Sequence, residues 1–225
     1  MGLSVMQRPL SFSFRARAAA FACMVLGGSL SGGCGLSELD GLTGGEKEHP
    51  LPLVVDQFFA PASWGAGLNM NAVMTPNAAS PTQDCDGNPA PNAQGNCHSV
   101  TYFAFPNADP GGFAWLYPAN NTGAHPGLKV APGAKAIRFS ARGAHGGESV
   151  GFQAGGIGFV GSEPIRDGFA VQLKTIVLTS DWRPYSLDMT GTDYGSGVLG
   201  AFGWQLLPTD NTAPVQFFLD DIVWE

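Results

Sequence analysis

The sequence predicts an all-β chain folded as a two-sheet antiparallel β-sandwich of jelly-roll type. Three observations predict it. After residue 50 no window keeps apolar side chains at i, i+3, i+4 and i+7 long enough for a helix. Short runs rich in β-branched and aromatic residues recur instead, broken by Gly, Pro, Asn and Asp. Gly (32) and Pro (17) make up about a fifth of the 225 residues, yet aromatic residues at 11% are too plentiful for a disordered chain.

The runs are expected at 53–59, 100–105, 113–117, 136–141, 150–154, 169–178, 185–189, 199–206 and 215–224. About nine strands over roughly 170 residues is the spacing of a sandwich. Two runs also declare their faces. Ile137, Phe139 and Ala141 alternate with Arg138, Ser140 and Arg142, so one side is buried and the other wet. Val150, Phe152 and Ala154 alternate with Gly151 and Gln153 in the same way. Trp182, Trp204 and Trp224 lie in apolar runs and are expected in the core. There is no internal repeat, so residues 51–225 are read as one domain.

The amino-terminal part reads as an address. Arg8, Arg15 and Arg17 precede Ala18–Leu30, thirteen residues without a charge. A spanning helix needs about 20 apolar residues, whereas this length and basic flank suit a secretory signal. The run ends in Leu30-Ser31-Gly32-Gly33-Cys34, which resembles the bacterial lipoprotein signal, with Leu30 four residues before the Cys instead of the usual three. The resemblance implies a signal over 1–33, lipidation of Cys34 and attachment of the acylated terminus to a lipid bilayer; an ordinary signal peptide cut nearby is the alternative. Gly35 is not the Asp associated with inner-membrane retention, so the expected place is the outer membrane or cell surface. Residues 34–50, polar and Gly-rich, are expected to form a flexible tether.

Export agrees with the cysteines. Cys23 lies in the signal and Cys34 at its end, leaving Cys85 and Cys97 on either side of DGNPAPNAQGN. A disulfide there is the favoured reading, contributing roughly 3 kcal/mol by closing a loop near this length. Metal ligation with His98 and Asp84 or Asp86 is the alternative.

The ending Gln216-Phe217-Phe218-Leu219-Asp220-Asp221-Ile222-Val223-Trp224-Glu225 resembles the last strand of jelly-roll carbohydrate-binding modules. Thr179–Asp188 (TSDWRPYSLD), Gly200–Trp204 (GAFGW) and Val54–Phe59 (VVDQFF) are similar to further strands of the same galactose-binding-like sandwiches, in the right order. The resemblance implies non-catalytic carbohydrate binding. It also implies a structural calcium between the first and last strands, with Asp56 and one of Asp220 or Asp221 as ligands. Hard carboxylate and carbonyl oxygens suit that ion.

Sugar rings are gripped by flat aromatic side chains on their C–H faces and by planar polar groups at their rims. Trp115 and Tyr117 share one face of an extended strand, with Asn120 and Asn121 following; this stretch is similar to a segment of the resembling modules. Arg138, Arg142 and Gln153 stand on polar faces, and Trp64 sits in a Gly-rich turn context. These eight residues are the expected ligand contacts.

Other function classes find less support. Without Arg8, Arg15 and Arg17, eight basic residues face eighteen acidic ones, which disfavours a nucleic-acid partner. A hydrolase needs a carboxylate pair roughly 5–10 Å apart, and nothing singles one out among Glu148, Glu163, Asp167 and Asp188. The four His lack metal spacing, no Ser lies in G-x-S-x-G, and the Gly-rich stretches lack G-x-G-x-x-G. The chain is therefore expected not to be an enzyme. An adhesion or assembly lipoprotein using the same faces for a protein partner is the second reading.

Overall fold

The computed structural model describes residues 47–64, 72–76, 90–92, 94–103, 110–159 and 162–225. Within them the chain forms eleven strands: β1 (Leu53–Val54), β2 (Ala60–Trp64), β3 (Ala72–Pro76), β4 (His98–Tyr102), β5 (Gly111–Leu116), β6 (Ala136–Gly143), β7 (Ser149–Gly155), β8 (Ala170–Val177), β9 (Arg183–Asp188), β10 (Gly200–Leu206) and β11 (Val215–Trp224). A six-stranded sheet has the order β3-β4-β11-β6-β9, with β1 also on β11; a five-stranded sheet has the order β2-β5-β10-β7-β8. Every pairing between these strands is antiparallel.

The order has a simple origin. β7 pairs β8, β6 pairs β9, β5 pairs β10 and β4 pairs β11, a set of nested pairs closing on the segment between β7 and β8. One long two-stranded ribbon is thus wound so that successive pairs fall alternately in the two sheets. This is the jelly-roll arrangement. Each sheet hides one face against the other because its strands alternate. Ile137, Phe139 and Ala141 of β6 and Val150, Phe152 and Ala154 of β7 are all buried, as the sequence pattern predicts. The rings of Phe139, Phe152 and Phe202 meet at the centre, with centroids 4.5 Å (139–152), 5.1 Å (139–202) and 5.9 Å (152–202) apart. Trp204 and Trp224 are in this core, but Trp182 is not: it is half-buried on the outside of the six-stranded sheet, beside Arg142.

Two strands are absent from the sequence expectation and one is shortened. The first run is a strand only over Leu53–Val54, after which Val55–Gln57 form a single 3-10 turn, with the N–H groups of Phe58 and Phe59 bonded to the Val55 carbonyl. That turn lets the chain leave one sheet and enter the other as β2. The missed strands β2 and β3 both contain proline, at Pro61 and Pro76, and so does β9 at Pro184. All three are sheet edges, where strands tolerate a residue without an N–H. Proline therefore hides these strands from a propensity reading while protecting the edges they form.

The central aromatic cluster makes a direct prediction. Phe202→Ala leaves a cavity among Phe139, Phe152 and Trp115, and should cost about 3–5 kcal/mol in urea unfolding.

Candidate functional site

A cavity of about 260 Å³ opens at the six-stranded sheet where β6, β9 and β11 meet. Arg138, Phe139 and Ser140 of β6, Pro184 of β9, and Asp221 and Val223 of β11 line it, and Asn92 and Gln94 wall it from the segment before β4. Alternation on β6 puts Arg138 and Ser140 on the side away from the core. A bulge on β11 supplies the rest. Asp220 pairs Ser140 and Val223 pairs Arg138, so Asp221 and Ile222 together face the single residue Phe139. Ile222 enters the core, while Asp221 takes a left-handed backbone conformation at φ 57° and lines the cavity. That conformation costs an L-residue about 1–2 kcal/mol, which its carboxylate offsets by accepting bonds from the Gln94 N–H and the Ser140 hydroxyl (3.1 Å).

Arg138 is half-exposed and its Nε is paired with Glu225. Exposed pairs of this kind are worth about 0–1 kcal/mol, so the guanidinium is held in place at little cost to a competing ligand. The cavity thus combines a cation, two amides, a hydroxyl and an engaged carboxylate with the apolar surfaces of Pro184 and Val223.

The acids expected to hold calcium have other partners. Asp56, on the 3-10 turn, is nearly fully buried. Its Oδ1 accepts the Trp115 indole N–H at 2.6 Å and lies 3.0 Å from His98 Nε2; its Oδ2 accepts the Asn96 N–H at 2.9 Å and lies 3.2 Å from the same Nε2. The two oxygens thus meet three nitrogen groups, with His98 Nε2 shared between them. Asp221 is engaged as described. Asp220 accepts the N–H of Asp221 at 2.7 Å, and burial pushes its carboxyl up to about 6; the charges of Asp221 and Asp56 act in the same direction, His98 and the Asp221 N–H against it. Among the described residues no three His, Cys, Asp or Glu side chains are grouped to hold a metal. Calcium needs six to eight oxygens, and this nitrogen-rich set around Asp56 does not fit it.

The expected sugar contacts are dispersed. Arg138 alone lines the cavity. Trp115 is a correction: it is fully buried, because its side of β5 faces the opposite sheet, and its indole N–H serves Asp56. Tyr117 shares that side and is half-buried against the core, edge-on to Phe59. Asn120 is exposed in the following turn at φ 61°. Asn121 is buried as a brace of the loop, donating to the carbonyls of Tyr117 and His125 and accepting from the N–H groups of Gly123 and His125. Arg142 is also buried, with its guanidinium 3.9 Å from the Phe218 ring centroid and 5.4 Å from that of Trp182. Gln153 is on the other sheet, opposite Gly203. Trp64 pairs Gly112 in β2, and its side chain lies outside the described residues, as do Cys34, Cys85 and the whole of 1–46. Cys97 is buried and disulfide-bonded.

Asn92, Gln94 and Ser140 are not among the eight residues the sequence points to as ligand contacts. Ser140 had a signal, its place between Arg138 and Arg142 on the polar side of β6. Asn92 and Gln94 had none, since nothing local in DGNPAPNAQGN says which residue meets a neighbour.

No protein-family model matches the chain, and no curated protein matches it. Among solved structures it is similar to the family 11 carbohydrate-binding module of Clostridium thermocellum in complex with a β-1,3-1,4-mixed-linked tetrasaccharide, at 13% identity and TM-score 0.45, covering 73% of this chain and 87% of that one. It is similar to the family 30 module of a cellulosomal cellulase of the same organism, at 10% identity and TM-score 0.43, covering 75% and 94%. TmCBM61 in complex with β-1,4-galactotriose is similar at 10% identity and TM-score 0.42, covering 75% and 89%.

One buried acid away from the cavity predicts a pH effect. Asp167 is 1% exposed and accepts the N–H groups of Ile157, Leu199 and Gly200 at 3.0, 2.7 and 3.3 Å, tying the β7–β8 connection to the start of β10. Burial nevertheless pushes its carboxyl up to about 6, against the lowering by those N–H groups. The folded chain therefore holds this proton more tightly than the unfolded chain, whose Asp titrates near ~4. Its contribution is fully present below that value and is lost as the pH rises through about 6. Melting curves should show the parent losing stability relative to Asp167→Asn between pH 4 and 7.

Proposed function

We propose that the chain is an exported, lipid-anchored module that binds carbohydrate without altering it, and that the cavity at Arg138 receives a sugar ring. The observation that carries this reading is the cavity's lining. Asn92 and Gln94 offer amide donors and acceptors, Arg138 donors and Ser140 a hydroxyl to a rim of sugar hydroxyls, while Pro184 and Val223 offer apolar surface to its C–H groups. The volume, about 260 Å³, is below the roughly 300–1,000 Å³ of sites for drug-sized ligands and suits a short saccharide end or branch. The motif order from Val54 to Trp224 supports the same reading.

The leader belongs to this proposal. Cys34 would carry the lipid, residues 34–50 would space the sandwich from the bilayer, and the protein would sit at the outer membrane or cell surface. A Cys85–Cys97 disulfide would close the loop that carries Asn92 and Gln94. A non-catalytic role is supported by the acids near the cavity: Asp221 is held by Gln94 and Ser140, and Glu225 by Arg138. Of the exposed large apolar side chains among the described residues, Phe103 follows β4, Phe159 lies in the β7–β8 connection and Val177 ends β8.

A polysaccharide and glycan array probed with the full chain tests the proposal. Binding to one glycan class should weaken about tenfold or more in Arg138→Ala, the loss of one charge-assisted bond of about 1.5 kcal/mol, with unchanged thermal melting. A folded chain that binds no glycan, or binds with no sensitivity to Arg138, overturns it. Release of reducing ends from the bound glycan would contradict the non-catalytic part.

A further inference from the structure

Segment 94–98 is gripped by the two acidic positions that read as metal ligands in the sequence. The Gln94 N–H bonds Asp221, and the Asn96 N–H and His98 Nε2 meet Asp56. Gly95 between them has φ +82°, and a Cβ there would lie 2.8 Å from Asp56 Oδ2, so the backbone is fitted closely around that carboxylate. Cys97 adds its disulfide. Asp56 is in turn fixed from the opposite sheet by the Trp115 indole. Neither Asp56, His98 nor Trp115 lines the cavity, whereas Gln94 does and Asn92 lies two residues before it.

We propose that Asp56 and Asp221 are positioning residues that clamp segment 94–98 as the wall of the sugar cavity, with the His98 and Trp115 N–H groups doing by hydrogen bonding what a cation would otherwise do. The clamp needs no calcium. Its bearing on sugar affinity rests on the function proposed above; the clamp itself does not.

Amide hydrogen exchange on the full chain, read residue by residue, tests the clamp without any glycan. In Asp56→Ala the Asn96 amide should lose protection at least tenfold, and in Asp221→Ala the Gln94 amide should do so, while amides of β7 and β10 keep theirs. If Asp56→Ala does not fold, Trp115→Phe removes one donor and keeps a smaller aromatic ring in its place, and Asn96 should again lose protection. Excess EDTA should leave both amides and the melting temperature of the parent unchanged, and added CaCl2 should not protect them further. Unchanged protection of Asn96 and Gln94 in the variants, or its loss on adding EDTA, overturns the proposal. In the glycan assay Asp56→Asn should weaken binding although Asp56 does not touch the cavity. If the parent binds no glycan the cavity reading falls, and the exchange pattern still decides the clamp.

Discussion

The Asp56 carboxylate is the point on which both sheets and the cavity wall converge. A buried charge without partners costs several kcal/mol, and stripping one partner from a buried pair costs about 3–5 kcal/mol. The chain meets this constraint by bringing donors from three places: an indole from β5 in one sheet, an imidazole from β4 in the other, and a main-chain N–H from the segment just before β4. The 3-10 turn at Val55–Gln57 exists where it does because the chain changes sheets there. Asp56 therefore sits at the seam of the sandwich. His98 faces Asp56 with Nε2, which must carry the proton to donate; its ring stands edge-on to Trp115, with centroids 5.0 Å apart.

From that seam the geometry of the cavity follows. β11 runs the length of the six-stranded sheet and has β1, β4 and β6 as neighbours. The bulge in this central strand turns one side chain outward that would otherwise face inward. The adjacent acids thereby divide their work. Asp220 stays buried near Asp56 and His98, while Asp221 turns toward Gln94, Ser140 and the cavity. The polar side of β6 divides in the same manner. Arg138 remains half-open beside the cavity, but Arg142, two pairs along the strand, is covered by the rings of Phe218 and Trp182.

Much of the fold was legible because its strands alternate and its turns are marked. Nine of the eleven strands stand within a few residues of their expected places, and the core residues of β6 and β7 are those the period-two pattern names. The strands that escaped notice, β2 and β3, are proline-bearing edges, where ladder geometry tolerates what propensity forbids. The site was legible only in part. Alternation correctly put Trp115 and Tyr117 on one side of β5, but period two cannot say which side is the inner one, and Trp115 turned out to be a core donor. Likewise an Asp-Asp pair in an apolar strand signals a need for hydrogen-bond partners without naming them. Here Asp221 meets the Gln94 N–H and the Ser140 hydroxyl, while His98, forty-two residues from Asp56, serves that first-turn acid instead.

The indole proton of Trp115 reports on the central interaction most directly. In a ¹H–¹⁵N spectrum of the full chain, that proton should be shifted downfield by its 2.6 Å bond to Asp56 and protected from solvent exchange, indifferent to added calcium or EDTA, and should move upfield in Asp56→Asn. A Trp115 indole proton that exchanges freely, or that is displaced when calcium is added, would contradict the account by showing that the carboxylate is not held by nitrogen donors.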